Sequence, residues 1–115
     1  MISFFTEGID FVREDFSKIR TWLEQVIVNE KFTINYINYI FCNDNYLLDI
    51  NEKYLNHSDL TDIITFQFNE KETNSLESDI YISIERVSEN ARKYKVDFDN
   101  ELKRVLVHGV LHLVG

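Results

Sequence analysis

Hydrophobic residues in this chain switch repeatedly between a period of two and a period of three to four, with no proline anywhere. That alternation limits the fold more than any other feature, because period two specifies a half-buried strand and period 3.6 a helix lying on one. Residues 2–6 read as a short strand. Across residues 12–28 the apolar positions Val12, Phe16, Ile19, Leu23, Val26 and Ile27 keep helical spacing, with Asp10 placed to cap the start. Residues 32–42 alternate and then turn apolar, a second strand. A helix starting at Asn43 or Asp44 carries Leu47, Leu48, Ile50, Tyr54 and Leu55. Residues 63–68 are β-branched and aromatic, 69–78 form a polar loop or wide hairpin, and 79–84 alternate again. Residues 85–94 are helical, and Asp99 is expected to cap a last helix running to Gly115. The order β-α-β-α-β-β-α-α predicts an α/β (α+β) fold, a mixed four-stranded sheet with surrounding helices, in a single domain over residues 1–115.

The 115 residues, 44% hydrophobic and 14% aromatic, are enough for one packed core without disulfide support. The lone Cys42 sits in an apolar run and reads as a core residue of a protein from a reducing compartment. Three scattered glycines, Gly8, Gly109 and Gly115, exclude a phosphate loop or dinucleotide fingerprint, and with it a nucleotide cofactor. A net charge of −8 with no basic half or tail opposes broad, non-specific binding of nucleic acid. The local clusters Arg92-Lys93-Tyr94-Lys95 and Lys103-Arg104 read as solvated helix faces. The start has no signal-peptide pattern, and no apolar window reaches membrane-spanning length. The expectation is a soluble cytoplasmic domain with no membrane partner.

Chemistry concentrates in the last helix. At about 100° per residue, His108 and His112 project from one face, roughly 6 Å apart along the axis. Two imidazoles so spaced suit one zinc ion. They also complete a polar stripe, Glu101, Arg104, His108 and His112, that would simply face solvent. Gly109, inside the helix, costs about 1 kcal/mol relative to alanine, which implies close approach of a chain segment or a substrate. In zinc peptidases of the His-Glu-x-x-His type that position holds the general base, so peptide hydrolysis by that route lacks its base here.

The segment His108-Gly109-Val110-Leu111-His112-Leu113-Val114-Gly115 resembles the hallmark His-Gly-x-Leu-His-Leu-x-Gly of the YbeY endoribonucleases of bacterial ribosomal-RNA maturation. Asn51-Glu52-Lys53-Tyr54 followed by Thr61-Asp62-Ile63-Ile64-Thr65-Phe66 is similar to that family's Asn-x-x-Tyr and Thr-Asp/Asn-Val-Leu-Ser-Phe segments. Asp79-Ile80-Tyr81-Ile82-Ser83 is similar to its Gly-Asp-Ile-x-Ile-Ser strand. The resemblance implies a metzincin-like zinc-hydrolase arrangement, with one zinc held by His108, His112 and a third histidine three residues beyond Gly115. It therefore implies a sequence incomplete at its C-terminus, with Gly115 the turn glycine that ends the helix. It implies a zinc-dependent, single-strand-specific endoribonuclease of ribosomal RNA maturation and quality control, partnered by ribosomal RNA and the small ribosomal subunit. Thr61, Asp62 and Thr65 would border the substrate cleft, although turn chemistry and strand packing account for them equally.

Three departures stand out. Leu55 occupies the position of an arginine that supports catalysis, and a leucine neither pairs a phosphate nor stabilises developing charge. His57, otherwise an exposed loop residue, or Arg104 would have to substitute. Leu60 and Ser78 replace a proline and a glycine and look structural. A zinc peptidase is disfavoured by Gly109. A ribosome-assembly factor with a structural metal is the non-enzymatic alternative, favoured by the acidic balance and Leu55.

Overall fold

A computed structural model describes residues 1–70 and 72–115. Its elements are β1 (Ile2–Thr6), α1 (Phe16–Asn29), β2 (Thr33–Cys42), α2 (Asp44–Leu55), β3 (Ile63–Gln67), β4 (Ser75–Ser83), α3 (Ile84–Tyr94) and α4 (Phe98–Val114). The sheet order is β1-β2-β4-β3, with β1, β2 and β4 parallel and β3 antiparallel on the outer side of β4. The mixed four-stranded sheet read from the sequence is the one observed. Among the described residues no helix is long and apolar enough to cross a membrane.

The two sheet faces follow from strand alternation. Ile2, Ile37, Tyr39, Phe41, Leu76, Ile80 and Ile82 bury against α1, α3 and α4 in the main core. Cys42 and Ile64 turn the other way and pack with Leu47 and Ile50 of α2. The helix α4 is fixed to the sheet by Tyr39, whose buried hydroxyl donates to the Leu106 carbonyl at 2.8 Å. Burial pushes that phenol's pKa up, so the donor proton stays in place.

Several boundaries differ from the expected ones. The first helix begins at Phe16, and neither Asp10 nor Val12 belongs to it. Arg13 forks onto both carboxylate oxygens of Asp15 at 2.8 Å and onto Asp99 at 2.8 Å, which holds the preceding segment outside the helix. Asp15 takes the capping position, but its carboxylate, occupied by Arg13, accepts no helix N–H. Val12, 89% exposed, lies outside the buried stripe. Asp97, not Asp99, caps α4, accepting from the Asn100 N–H at 2.7 Å.

The strand β4 is longer than expected, because Ser75 to Ser78 belong to it rather than to the loop; Lys71 of that expected loop lies outside the described residues. Its polar composition conceals a working alternation. Leu76 points into the core, and the buried Ser78 hydroxyl donates to the Phe66 carbonyl at 2.7 Å, so no buried polar group is left unpaired there.

Candidate functional site

An open cleft of about 340 Å³ runs along the outer side of β3. It is lined by Ile63, Ile64 and Thr65 of β3, by His108 and His112 of α4, by Asn51 and Leu55 of α2, and by His57, Asp59 and Thr61 of the connecting segment. The helices α2 and α4 sit on opposite faces of the sheet. Only a space at the sheet's free margin can be bordered by both.

The helix α4 delivers the two histidines because its opposite side is buried. Leu102, Val105, Leu106, Gly109, Val110 and Leu113 pack inward, and His108 and His112 are exposed on the cleft wall. Gly109 makes the packing close. A Cβ there would stand 3.0 Å from Ile63 Cδ1 and 3.3 Å from Ile80 Cδ1, below the 3.5–4.0 Å of ordinary carbon contacts. The approaching chain segment is therefore the sheet itself. The expected polar stripe is broken at its start, since Glu101 is only 2% exposed and takes both its bonds from Arg104, at 3.0 and 2.7 Å.

On the other wall the connecting segment is tied to α2 by Asn51, which is 5% exposed. Its side-chain amide donates to the Asp59 carbonyl at 2.9 Å, and its own carbonyl accepts from His57 N–H at 3.1 Å. Asn56 closes α2 in the left-handed conformation, φ 59°. This fixed turn carries His57 and Asp59 to the cleft.

Of the residues expected at the site, His108, His112, Thr61 and Thr65 meet in the cleft. Asp62 is not among the lining residues; its carboxylate lies 3.6 Å from the Arg104 guanidinium, and its carbonyl accepts from Ser83 N–H. Arg104 is thus committed to Glu101 and Asp62, which leaves His57 as the basic side chain on the wall beside Leu55. Asn51 and Asp59 were missed as cleft residues. A buried asparagine one turn before a helix end followed by polar loop residues is the signal that would have found the anchor.

Among the described residues no lysine or arginine lines the cleft, so anions there meet imidazoles and main-chain donors. The donor set matches zinc in kind, since imidazole nitrogen is a ligand that zinc favours. His108 and His112 supply two such donors, and among the described residues no three His, Cys, Asp or Glu side chains converge on one position.

The chain is thus a mixed α/β protein with a paired-imidazole cleft at the free margin of its sheet. Residues 5–115 match the family model of Endoribonuclease YbeY, and the chain belongs to that family. The Endoribonuclease YbeY of Flavobacterium psychrophilum is 55% identical over 116 residues, covering 100% of this chain and 80% of that protein. That of Amoebophilus asiaticus is 48% identical over 114 residues, covering 99% and 77%. The solution structure of a Thermotoga maritima protein superposes with a TM-score of 0.64 at 28% identity, covering 100% of this chain and 73% of that one.

Proposed function

We propose that this protein is a zinc-dependent endoribonuclease that cuts single-stranded segments of ribosomal RNA during maturation and quality control of the small ribosomal subunit in the cytoplasm. The observation that carries the reading is the placement of His108 and His112 together on the wall of the cleft in a chain of this family. These two side chains would hold the metal in a metzincin-like arrangement. Bound zinc would supply a water acidified toward neutrality and a Lewis acid for the phosphoryl oxygens.

The chain's own residues do the positioning. Gly109 lets α4 lie close enough to β3 for the imidazoles to face the strand margin, and Asn51 holds the segment with His57 and Asp59 opposite them. Thr61 and Thr65 border the substrate between the walls. His57 is the cleft's basic side chain on the wall where Leu55 provides no charge. The test is metal content and RNA cleavage of the native-length protein beside His112→Ala. About one zinc per chain, lost in the variant together with cleavage, is expected. Full cleavage by the metal-free variant would overturn the reading.

One observation favours a second reading. Leu55 leaves that wall, among the described residues, without a lysine or arginine, as a ribosome-assembly factor with a structural metal would tolerate. Stoichiometric zinc and small-subunit binding without RNA turnover would select it.

A further inference from the structure

The main chain of β3 turns groups outward at the cleft, and among the described residues most of them have no partner in the fold. Ser83 N–H donates to the Asp62 carbonyl at 3.0 Å and Phe68 N–H to the Glu77 carbonyl at 2.8 Å. The register between these two pairs is unbroken, from Ile63 opposite Ile82 to Gln67 opposite Ser78. In an antiparallel ladder, residues that exchange bonds alternate with residues that do not. Asp62, Ile64, Phe66 and Phe68 therefore turn their N–H and C=O groups to β4, and Ile63, Thr65 and Gln67 turn theirs outward. The Ile63 carbonyl is taken by the Thr61 hydroxyl at 3.4 Å. Thr65, which lines the cleft, presents a free donor and a free acceptor side by side between the two walls.

A phosphate has acceptors only, and the Thr65 carbonyl would repel it. The group that matches an adjacent donor and acceptor on a nucleic acid is the hydrogen-bonding edge of a base. Its Watson–Crick edge is accessible only when the base is unpaired. The neighbouring surface suits a base as well. Leu55, 43% exposed on the cleft wall, offers an apolar surface where a cation would instead have sought phosphate. A neutral base also suits a chain of net charge −8 better than a row of phosphates does.

We infer that the Thr65 main chain reads an unpaired nucleobase of the RNA, laid with its edge on β3 and one face on Leu55. This deepens the proposed function by making Thr65 a positioning residue through its backbone, and it rests on RNA being the substrate. It gives a physical basis for preferring single strands, since pairing occupies a base's Watson–Crick edge and keeps it in the stack.

The experiment removes the N–H while leaving the ladder intact. Thr65→Pro deletes an outward-facing donor at a sheet margin, the place in a strand where proline is tolerated, and Thr65→Val keeps the donor while removing the hydroxyl. Both are compared with the unaltered full-length protein on a single-stranded RNA oligonucleotide, by equilibrium binding and by cleavage. The RNA is also scanned with single abasic substitutions. Expected results are about tenfold weaker binding and a KM raised by the same factor for Thr65→Pro, and a clearly smaller loss for Thr65→Val, which keeps the main-chain donor. One abasic position should cost the unaltered protein a similar factor and cost Thr65→Pro nothing further.

A folded Thr65→Pro protein with unaltered RNA affinity would overturn the inference and leave this margin to an extended peptide strand. An abasic scan of the unaltered protein without effect at any position would overturn it too, even if the proline variant does not fold. Absence of cleavage with a positive scan would instead count against the nuclease reading alone.

Discussion

Alanine at position 109 sets two opposed effects against each other at one atom. In a helix interior alanine is favoured over glycine by about 1 kcal/mol. Here the added Cβ meets Ile63 Cδ1 at 3.0 Å and Ile80 Cδ1 at 3.3 Å. Ile80 is fully buried and has nowhere to go, whereas Ile63 is half-buried and borders the cleft. Overpacking of this kind costs about 1–3 kcal/mol. Gly109→Ala should therefore destabilise by about 1 kcal/mol net. Ile63→Val alone removes the closest atom and should cost about 0.5–1 kcal/mol, the lower part of the range for this change. In the double variant the 3.0 Å contact no longer exists, so Gly109→Ala added to Ile63→Val should be close to neutral. The four proteins form a cycle readable by urea unfolding, with a coupling of about 1 kcal/mol and an unaltered m-value. The reasoning is refuted if Gly109→Ala alone stabilises by its full propensity gain and the cycle shows no coupling.

Tyr39→Phe removes the hydroxyl that pins α4 to β2 and should cost about 1 kcal/mol in thermal or urea unfolding, since the Leu106 carbonyl loses its second partner. Arg104→Ala leaves the buried Glu101 carboxylate without its two bonds and should cost about 2 kcal/mol, less than for a fully buried pair because the guanidinium is half-exposed; adding Glu101→Gln should recover part of it. Asp44 bears on acid stability. Burial alone pushes its carboxyl up, but hydrogen bonds from Arg86 and Ser83 outweigh this and hold it below the ordinary carboxylate range. The folded form thus binds the proton less readily than the unfolded chain, so the stabilisation is present above about pH 3.9 and lost as pH falls through the folded value. Asp44→Asn should lower the melting temperature at pH 7 and flatten its acid limb. Asn51→Ala should leave the global melt within a few degrees but raise hydrogen exchange in the segment around His57, where two anchoring bonds are formed.

What the sequence made legible is what periodicity and local chemistry encode. Strand and helix order, the α4 histidine pair and the close approach at Gly109 all follow from spacing within one element. The misplaced features depend on partners distant along the chain. Asp10 and Asp99 have the local pattern of caps, whereas Arg13, held by Asp15, reaches Asp99 across 86 residues and engages that carboxylate instead. Ser75 to Ser78 read as loop because serine disfavours strands, until the hydroxyl of Ser78 found a carbonyl on β3. The family resemblance placed Asp62 at the cleft, yet its carboxylate lies beside Arg104, a turn before His108 on α4, a pairing that no local pattern announces. On the opposite wall Leu55, His57 and Thr61 were legible through the family resemblance, but the anchor was not, because Asn51 acts by reaching over a turn that only the folded chain contains.

The free margin of β3 has a topological cause with chemical consequences. β4 is inserted between β2 and β3, so β3 has one partner and an open side. Open strand margins invite unwanted pairing, and proteins commonly guard them with lysine, proline or a covering element. Here Ile63, Thr65 and Gln67 carry no such guard in their own side chains. Cover comes from the walls: α4 with its histidines on one face, and the Asn51-anchored segment on the other. The Thr61 hydroxyl takes the Ile63 carbonyl, and the Gln67 side-chain amide reaches the Leu113 carbonyl at 3.5 Å, which ties the far end of the strand to α4 while leaving the main-chain groups of Gln67 turned outward. Thr65, between them, remains open. A strand margin left open in the cleft that two imidazoles also line is better explained by a ligand at Thr65 than by imperfect protection against self-association.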